Sequence, residues 1–194
     1  MKQSVILSIS TLLLLTIAAL VYYLNGHMPT KQGQNFSIPS TQGEYQLKND
    51  RGKVVILYFG YRFCPDICPT TLSELASIRK KLSTEEKEKF QVVFISLDPK
   101  RDTISELSEY VKFFHPTFIG ATSTRNKLDI LANFYGVRYK INKPLDAEQT
   151  FYTVDHSASA FIIGKDGVQR DIFLYGEKDS ENFDKIKKYI GEKI

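Results

Sequence analysis

The sequence predicts an α/β fold, a central mixed sheet flanked by helices. Two runs carry the prediction: residues 54–59 read Val-Val-Ile-Leu-Tyr-Phe, and residues 91–97 read Gln-Val-Val-Phe-Ile-Ser-Leu. Near-continuous apolar stretches of this length are the pattern of central strands buried on both faces. Segments of helical period lie between and after them. A turn signal at Lys165-Asp166-Gly167 joins two further strand-like runs near the C-terminus. Strands interleaved with helices place the chain among α/β proteins.

Composition adds a globular domain behind a membrane segment. Of 194 residues, 42% are hydrophobic and 12% aromatic, a balance that excludes a disordered chain. Residues 5–24 (VILSISTLLLLTIAALVYYL) carry no charge. At about 1.5 Å per helical residue, such a run spans the roughly 30 Å of bilayer hydrocarbon. Lys2 precedes it, and Tyr22 and Tyr23 fall where interfacial aromatic residues sit. A cleaved signal peptide is the competing reading. Ala18 and Ala19 make no clear A-x-A site, and the apolar run continues past them, which favours a single uncleaved transmembrane helix. The expected organisation is an anchor over residues 1–24, a linker over 25–34 and one domain over 35–194. A short basic N-terminus followed at once by a span stays inside, so the domain is expected outside the cytoplasm. The simplest setting is a bacterial inner membrane, with the C-terminal domain facing the periplasm or cell exterior. Roughly 160 residues bury a sizeable core without disulfide staples. The net charge of +4 is scattered. Arg79, Lys80 and Lys81, like Lys185, Lys187 and Lys188, read as solvated helix faces. No basic–aromatic patch argues for nucleic acid.

The elements follow in order. The first buried strand runs into Phe59-Gly60-Tyr61-Arg62-Phe63-Cys64-Pro65-Asp66-Ile67-Cys68-Pro69. A helix comes next, with Leu72, Leu75, Ile78 and Leu82 at helical spacing. Its start has two candidates: Thr71-Leu72-Ser73-Glu74 fits a capping box, whereas Pro69 favours an earlier first turn. After the second strand, residues 103–114 are helical, with Leu107, Tyr110, Val111 and Phe114 on one face. Residues 124–135 form a helix stopped by Gly136. Residues 158–163 and 168–174 are strands around the Lys165-Asp166-Gly167 turn, and residues 180–190 are a closing amphipathic helix.

Cys64 and Cys68 are the two cysteines of the chain. They lie at the end of the first buried strand, where open α/β sheets keep their sites. Pro65 and Pro69 bias the residues before them away from helical geometry. Cys64 is therefore expected in a loop and Cys68 at or just before the helix start. A helix N-terminus lowers the pKa of nearby thiols, and thiolate is the form that binds metal or attacks disulfides. The usual dithiol redox spacing is C-x-x-C, and here three residues intervene. The longer loop can close a disulfide, and it also opens a bite for a metal with a third ligand from elsewhere. Two thiolates and one imidazole suit Cu(I), whereas zinc normally takes a fourth ligand. A structural disulfide is the plainer alternative, although a bridge over so short a loop constrains little of the unfolded chain. Three histidines are available: His27 in the linker, His115 before Pro116, and His156. Taken alone, each reads as a surface or structural residue. His156 stands out because Asp155, Ser157 and Ser159 surround it with hydrogen-bonding groups.

Three motifs then carry a resemblance. Phe59-Gly60-Tyr61 with Cys64-Pro65-Asp66-Ile67-Cys68-Pro69-Thr70, Leu97-Asp98-Pro99-Lys100-Arg101-Asp102-Thr103, and Val154-Asp155-His156-Ser157-Ala158 together resemble the Sco/SenC family, over roughly residues 35–190. The resemblance implies a thioredoxin-like fold with an N-terminal hairpin and a segment inserted near residues 137–153. It implies a membrane-anchored, copper-binding protein that helps assemble the dinuclear copper site of cytochrome c oxidase. It further implies Cys64, Cys68 and His156 as the copper ligands. The expected partners are the copper-bearing oxidase subunit and another periplasmic copper carrier or thiol reductase. Two positions depart from the family pattern: Phe63 stands where many relatives carry histidine, and Ile104 where proline is common. Phe63 is not one of the implied ligands, so the departure bears on site polarity and partner contacts. Asp98 and Asp102 are candidate caps of the following helix, and Asp98 is also placed to support the site.

Two functions follow. A copper chaperone binds one Cu(I) through Cys64, Cys68 and His156, and loses two ligands when the cysteines oxidise. A thiol–disulfide oxidoreductase or redox sensor, acting on cysteines of the oxidase subunit, uses Cys64 and Cys68 as its redox pair and dispenses with His156. Peroxide reduction is a third option that the fold permits and does not select.

Overall fold

The computed structural model describes residues 35–142, 152–157 and 159–193, together with residues 13 and 15–17. The expected transmembrane helix and linker lie almost wholly outside the described residues, as do His27 and residues 143–151 of the expected insertion. Among the described residues no helix is long and apolar enough to cross a membrane.

In chain order the elements are β1 (Ser37–Ser40), β2 (Gly43–Gln46), a 3-10 turn (Leu47–Asp50), β3 (Val54–Gly60), α1 (Ile67–Lys81), α2 (Thr84–Glu88), β4 (Phe90–Ser96), α3 (Ile104–Phe114), β5 (Ile119–Ala121), α4 (Arg125–Tyr135), β6 (Tyr139–Asn142), β7 (Thr153–His156), β8 (Ser159–Ile163), β9 (Gln169–Leu174) and α5 (Asp179–Gly191). Seven strands form a mixed sheet in the order β2-β1-β5-β4-β3-β8-β9, and β6 and β7 pair separately. β3 runs parallel to β4 and antiparallel to β8. The sheet flanked by helices is the architecture expected from the apolar runs.

β3 is buried at every position. Because side chains alternate along a strand, Val54, Ile56 and Tyr58 enter one core with Leu72, Leu75 and Ile78 of α1, Leu107 of α3 and Ile186 of α5. Val55, Leu57 and Phe59 enter a second core with Leu128, Leu131 and Tyr135 of α4 and Ile38 and Tyr45 of the N-terminal hairpin. An uninterrupted apolar run suits a strand covered on both faces.

Three local expectations are corrected. α1 starts at Ile67, four residues before the Thr71–Glu74 box, so that box lies inside the helix. Cys68 and Pro69 occupy its second and third positions, whereas Cys68 was expected at or just before the start and Pro69 in the first position. The first intrahelical bond, 3.1 Å, runs from Thr70 N–H to the Asp66 carbonyl. The amide that Pro69 lacks is thus one that would have had no partner in the first turn. Neither Asp98 nor Asp102 caps α3. Thr103 does, in a capping box with Glu106, and Ile104 takes the first helical position. By contrast, Gly136 ends α4 as expected, at φ 73°, a conformation that costs glycine little. The residues alone did not point to α2, β5 or the β6–β7 pair. Each is short, and β6 and β7 lack a continuous apolar run.

Candidate metal centre

The site lies at the carboxyl ends of β3 and β4. β3 stops at Gly60, the chain turns through Cys64, and α1 begins two residues before Pro69. Cys68 is fully buried, whereas Cys64 is partly exposed, and both are free thiols. Antiparallel pairing of β6 with β7 sets Tyr139 opposite His156 and carries the imidazole to the cysteines. His156 Nε2 lies 3.4 Å from Cys68 Sγ. The ligand atoms of Cys64, Cys68 and His156 lie within 4.8 Å of one another, and among the described residues no carboxylate or further histidine joins them.

The orientation of His156 can be derived. Its Nδ1 lies 2.9 Å from the Ser157 carbonyl oxygen. A carbonyl only accepts, so Nδ1 carries the proton and Nε2 presents its lone pair toward the sulfurs. The edge of the Tyr61 ring meets the imidazole at 89°, with centroids 6.0 Å apart. The side chain of Asp155, expected beside His156, is instead turned to Asn142. His115 is elsewhere, with Nδ1 on Thr117.

The two thiols differ electrostatically. A hydrogen bond from Cys68 is the largest influence on Cys64. Burial opposes it, while the backbone amides of Cys68 and Asp66 add to it, and together they hold Cys64 at about 3. Cys68 is pushed well above the thiol range by the same hydrogen bond, by burial and by the charge on Cys64. The pair therefore shares one negative charge centred on Cys64, where the helix N-terminus faces it. The first turn of α1 contains no acidic residue to compete for those amides.

Gly60 makes room for the buried sulfur. A Cβ there would lie 2.7 Å from Cys68 Sγ and 2.8 Å from Phe94 Cε2. Gly60→Ala is expected to destabilise the fold by about 1–3 kcal/mol, the usual cost of overpacking. It should also displace Cys68 from the site. Urea unfolding and metal titration of the same sample check both effects.

Asp102 braces the cysteine turn from below. Its Oδ2 accepts from the Arg62 amide at 2.9 Å and from Ser96 Oγ at 2.5 Å. Burial raises its pKa, opposed by those hydrogen bonds. A carboxyl whose folded pKa is raised binds its proton more tightly in the folded state. Its contribution to stability is therefore full below the unfolded pKa, about 3.9, and is lost as pH rises through the folded value. Asp102→Asn should remove this acid-range fall, as read from urea unfolding midpoints between about pH 4 and 7.

The fold and the site lead to known proteins. The SCO1/SenC family model matches residues 26–191. The chain belongs to the SCO1/SenC family. Among solved structures, this SCO1/SenC chain is similar to copper-bound Arabidopsis thaliana ScoI, with 34% identity and a TM-score of 0.73 over 82% of this chain and 98% of that one. It is also similar to copper-bound yeast Sco1, with 31% identity and a TM-score of 0.74 over 84% and 90%. The likeness establishes the mixed α/β, thioredoxin-like Sco fold. The mitochondrial SCO2 homolog of Bos taurus is 33% identical over 158 residues, covering 80% of this chain and 59% of the relative. The chain thus spans less than two thirds of the length of that curated relative.

Phe63 is 43% exposed beside Cys64. The guanidinium groups of Arg62 and Arg101 lie 4.3 and 4.8 Å from its ring centroid. Arg62, Arg101, Asp102 and Gly60 surround the cysteine turn, and sequence reasoning assigned none of these four a place in the site. The Asp98 to Asp102 motif was the one signal that pointed to this region.

Proposed function

We propose that the domain is a Cu(I) metallochaperone, using Cys64, Cys68 and His156 as ligands and delivering copper to the dinuclear copper site of cytochrome c oxidase during assembly. The observation that carries the reading is the convergence of two sulfurs and one correctly presented imidazole nitrogen. Three soft or borderline donors without a carboxylate suit Cu(I) better than zinc. Two similar structures, Arabidopsis thaliana ScoI and yeast Sco1, hold bound copper, which supports the same cargo. Partial exposure of Cys64 supports delivery, because an acceptor thiolate can reach copper from that side and displace ligands one at a time. An open hollow of about 340 Å³, lined by Arg138, Tyr139, Lys140, Asp155, His156 and Ser157, lies on the histidine side of the site. The uncharged run at residues 5–24 supports a single-pass anchor in a bacterial inner membrane, with the domain outside the cytoplasm.

The test is transfer. The full chain in detergent is reduced, loaded anaerobically with one Cu(I), and mixed with the reduced copper-bearing subunit of an oxidase. Movement of copper to that subunit is the expected result. Retention by the loaded chain with an acceptor that takes copper from a small-molecule complex would overturn the delivery role.

The contrast between the thiols favours a second reading. A partly exposed, ionised Cys64 above a buried, protonated Cys68 is the arrangement of an attacking and a resolving thiol. In that reaction Cys64 thiolate attacks a substrate disulfide and releases one substrate thiolate. Cys68, giving up its proton, then attacks Cys64 Sγ in the mixed disulfide. The second substrate thiolate leaves as Cys64 and Cys68 close a disulfide, so the pair gives the substrate two electrons. Reduction of an oxidised acceptor leaves Cys64 and Cys68 as a disulfide, so a thiol reductant must restore the pair before the same site can hold copper.

A further inference from the structure

We infer that Arg101 is a positioning residue that locks His156 in register with the two cysteines, acting through the backbone and ring of Tyr152. The inference rests on the reading of Cys64, Cys68 and His156 as Cu(I) ligands.

Arg101 lies in the loop after β4, and Tyr152 immediately precedes β7, the strand that ends in His156. Three contacts tie them. Arg101 Nη1 donates to the Tyr152 carbonyl at 2.9 Å. The guanidinium carbon stacks 3.5 Å from the centroid of the Tyr152 ring. Fully buried Asp98 holds both partners, accepting from Arg101 Nε at 2.5 Å and from the Tyr152 hydroxyl at 2.7 Å.

The other side of Arg101 meets the cysteine turn. Its guanidinium carbon is 4.8 Å from the Phe63 centroid and 5.9 Å from the Tyr61 centroid. Tyr61 in turn abuts the His156 ring. The Arg101 carbonyl accepts from Arg62 Nη2 at 3.3 Å. One planar group thus touches the segment that carries Cys64, the loop after β4, and the start of the strand that carries His156. β6 and β7 form their own two-stranded sheet, outside the seven-stranded one. This clamp is therefore a direct tie between the histidine strand and the sheet edge that bears the cysteines.

The task needs arginine. A lysine at this position keeps the charge opposite Asp98. It loses the flat face on Tyr152 and the fixed fork that bonds Asp98 and the Tyr152 carbonyl together. A role in charge balance alone survives Arg101→Lys, whereas a positioning role does not.

The test uses the full chain in detergent as wild type, Arg101→Lys, Tyr152→Phe, His156→Ala, and Arg101→Lys combined with His156→Ala. Anaerobic competition against a Cu(I) chelator gives affinities, and thiol–disulfide equilibration gives the potential of the cysteine pair. Arg101→Lys is expected to lower Cu(I) affinity by about 10–100-fold, the usual range for a group that orients a metal ligand. The potential should stay unchanged, and the loss should vanish in the His156→Ala background. Tyr152→Phe, which removes only a hydroxyl, should give a smaller loss of the same pattern. Equal losses with and without His156, or a shifted potential, would overturn the proposal in favour of a role in the cysteine turn or the fold. A copper-free readout separates this from failure of the copper reading. Arg101→Lys should weaken the nuclear Overhauser contact between the Tyr61 and His156 rings. An undiminished contact overturns the clamp whatever the metal does, whereas a wild-type chain that binds no Cu(I) overturns the copper reading and leaves the clamp to be judged by that contact.

Discussion

Cys68→Ser is expected to abolish tight Cu(I) binding, with a loss above the roughly 100-fold that marks the upper end for supporting groups. Cys68 is fully buried at the second position of α1, and its sulfur fills the space left by Gly60. Serine puts a hard oxygen where Cu(I) prefers a soft donor, in a pocket shaped for the larger atom. The fold should survive, because the hydroxyl can still donate toward Cys64. The same substitution removes the resolving thiol, so disulfide exchange should stop at the mixed disulfide. Anaerobic chelator competition, with thermal unfolding as the control, checks the first effect. Trapping of a stable mixed disulfide checks the second. Unchanged Cu(I) affinity would remove Cys68 from the site.

His156→Ala carries the second large effect and divides the two functional readings. Removing the imidazole takes away the one nitrogen donor and leaves two sulfurs, and Cu(I) affinity is expected to fall by about 100-fold. The redox pair should change little. The largest influence on Cys64 is the hydrogen bond from Cys68, and it does not depend on the histidine. Competition titration should therefore show a large loss, while reactivity toward a model disulfide remains near wild type. A variant that loses both together would mean that His156 serves the cysteine chemistry itself. A variant that loses neither would leave the dithiol as the whole of the site.

The tie between Arg101 and Tyr152 explains why residue spacing could not bring His156 to the cysteines, a placement that the family resemblance alone implied. His156 Nε2 and Cys68 Sγ belong to residues 88 positions apart. Their meeting depends on β7 pairing with β6 and on the clamp through Tyr152, and neither leaves a periodic trace. The neighbours of His156 in the sequence were a poor guide as well. Asp155 faces Asn142, and the Nδ1 proton goes to the Ser157 backbone carbonyl rather than to a side chain.

Other parts were legible because their causes are local. The apolar runs at β3 and β4 specify strands with both faces covered, since strand periodicity and burial act over a few residues. Helical spacing located α1, α3, α4 and α5, and Gly136 marked the end of α4 through its own backbone freedom. The first turn of α1 was misjudged because Pro69 is compatible with any position whose amide lacks a helical partner, and local sequence does not choose among them.

Two cysteines in one proline-flanked turn at the end of a buried strand, behind an uncharged N-terminal run, are properties of the chain as written. They restrict the chemistry to thiolates near a helix start. Which thiol carries the charge, which imidazole reaches it and what holds that imidazole in register were decided by tertiary packing. Burial separates Cys68 from solvent, and strand pairing and the Arg101 contacts bring distant segments together. Such non-local terms depend on the whole core having formed, and no short stretch of sequence contains them.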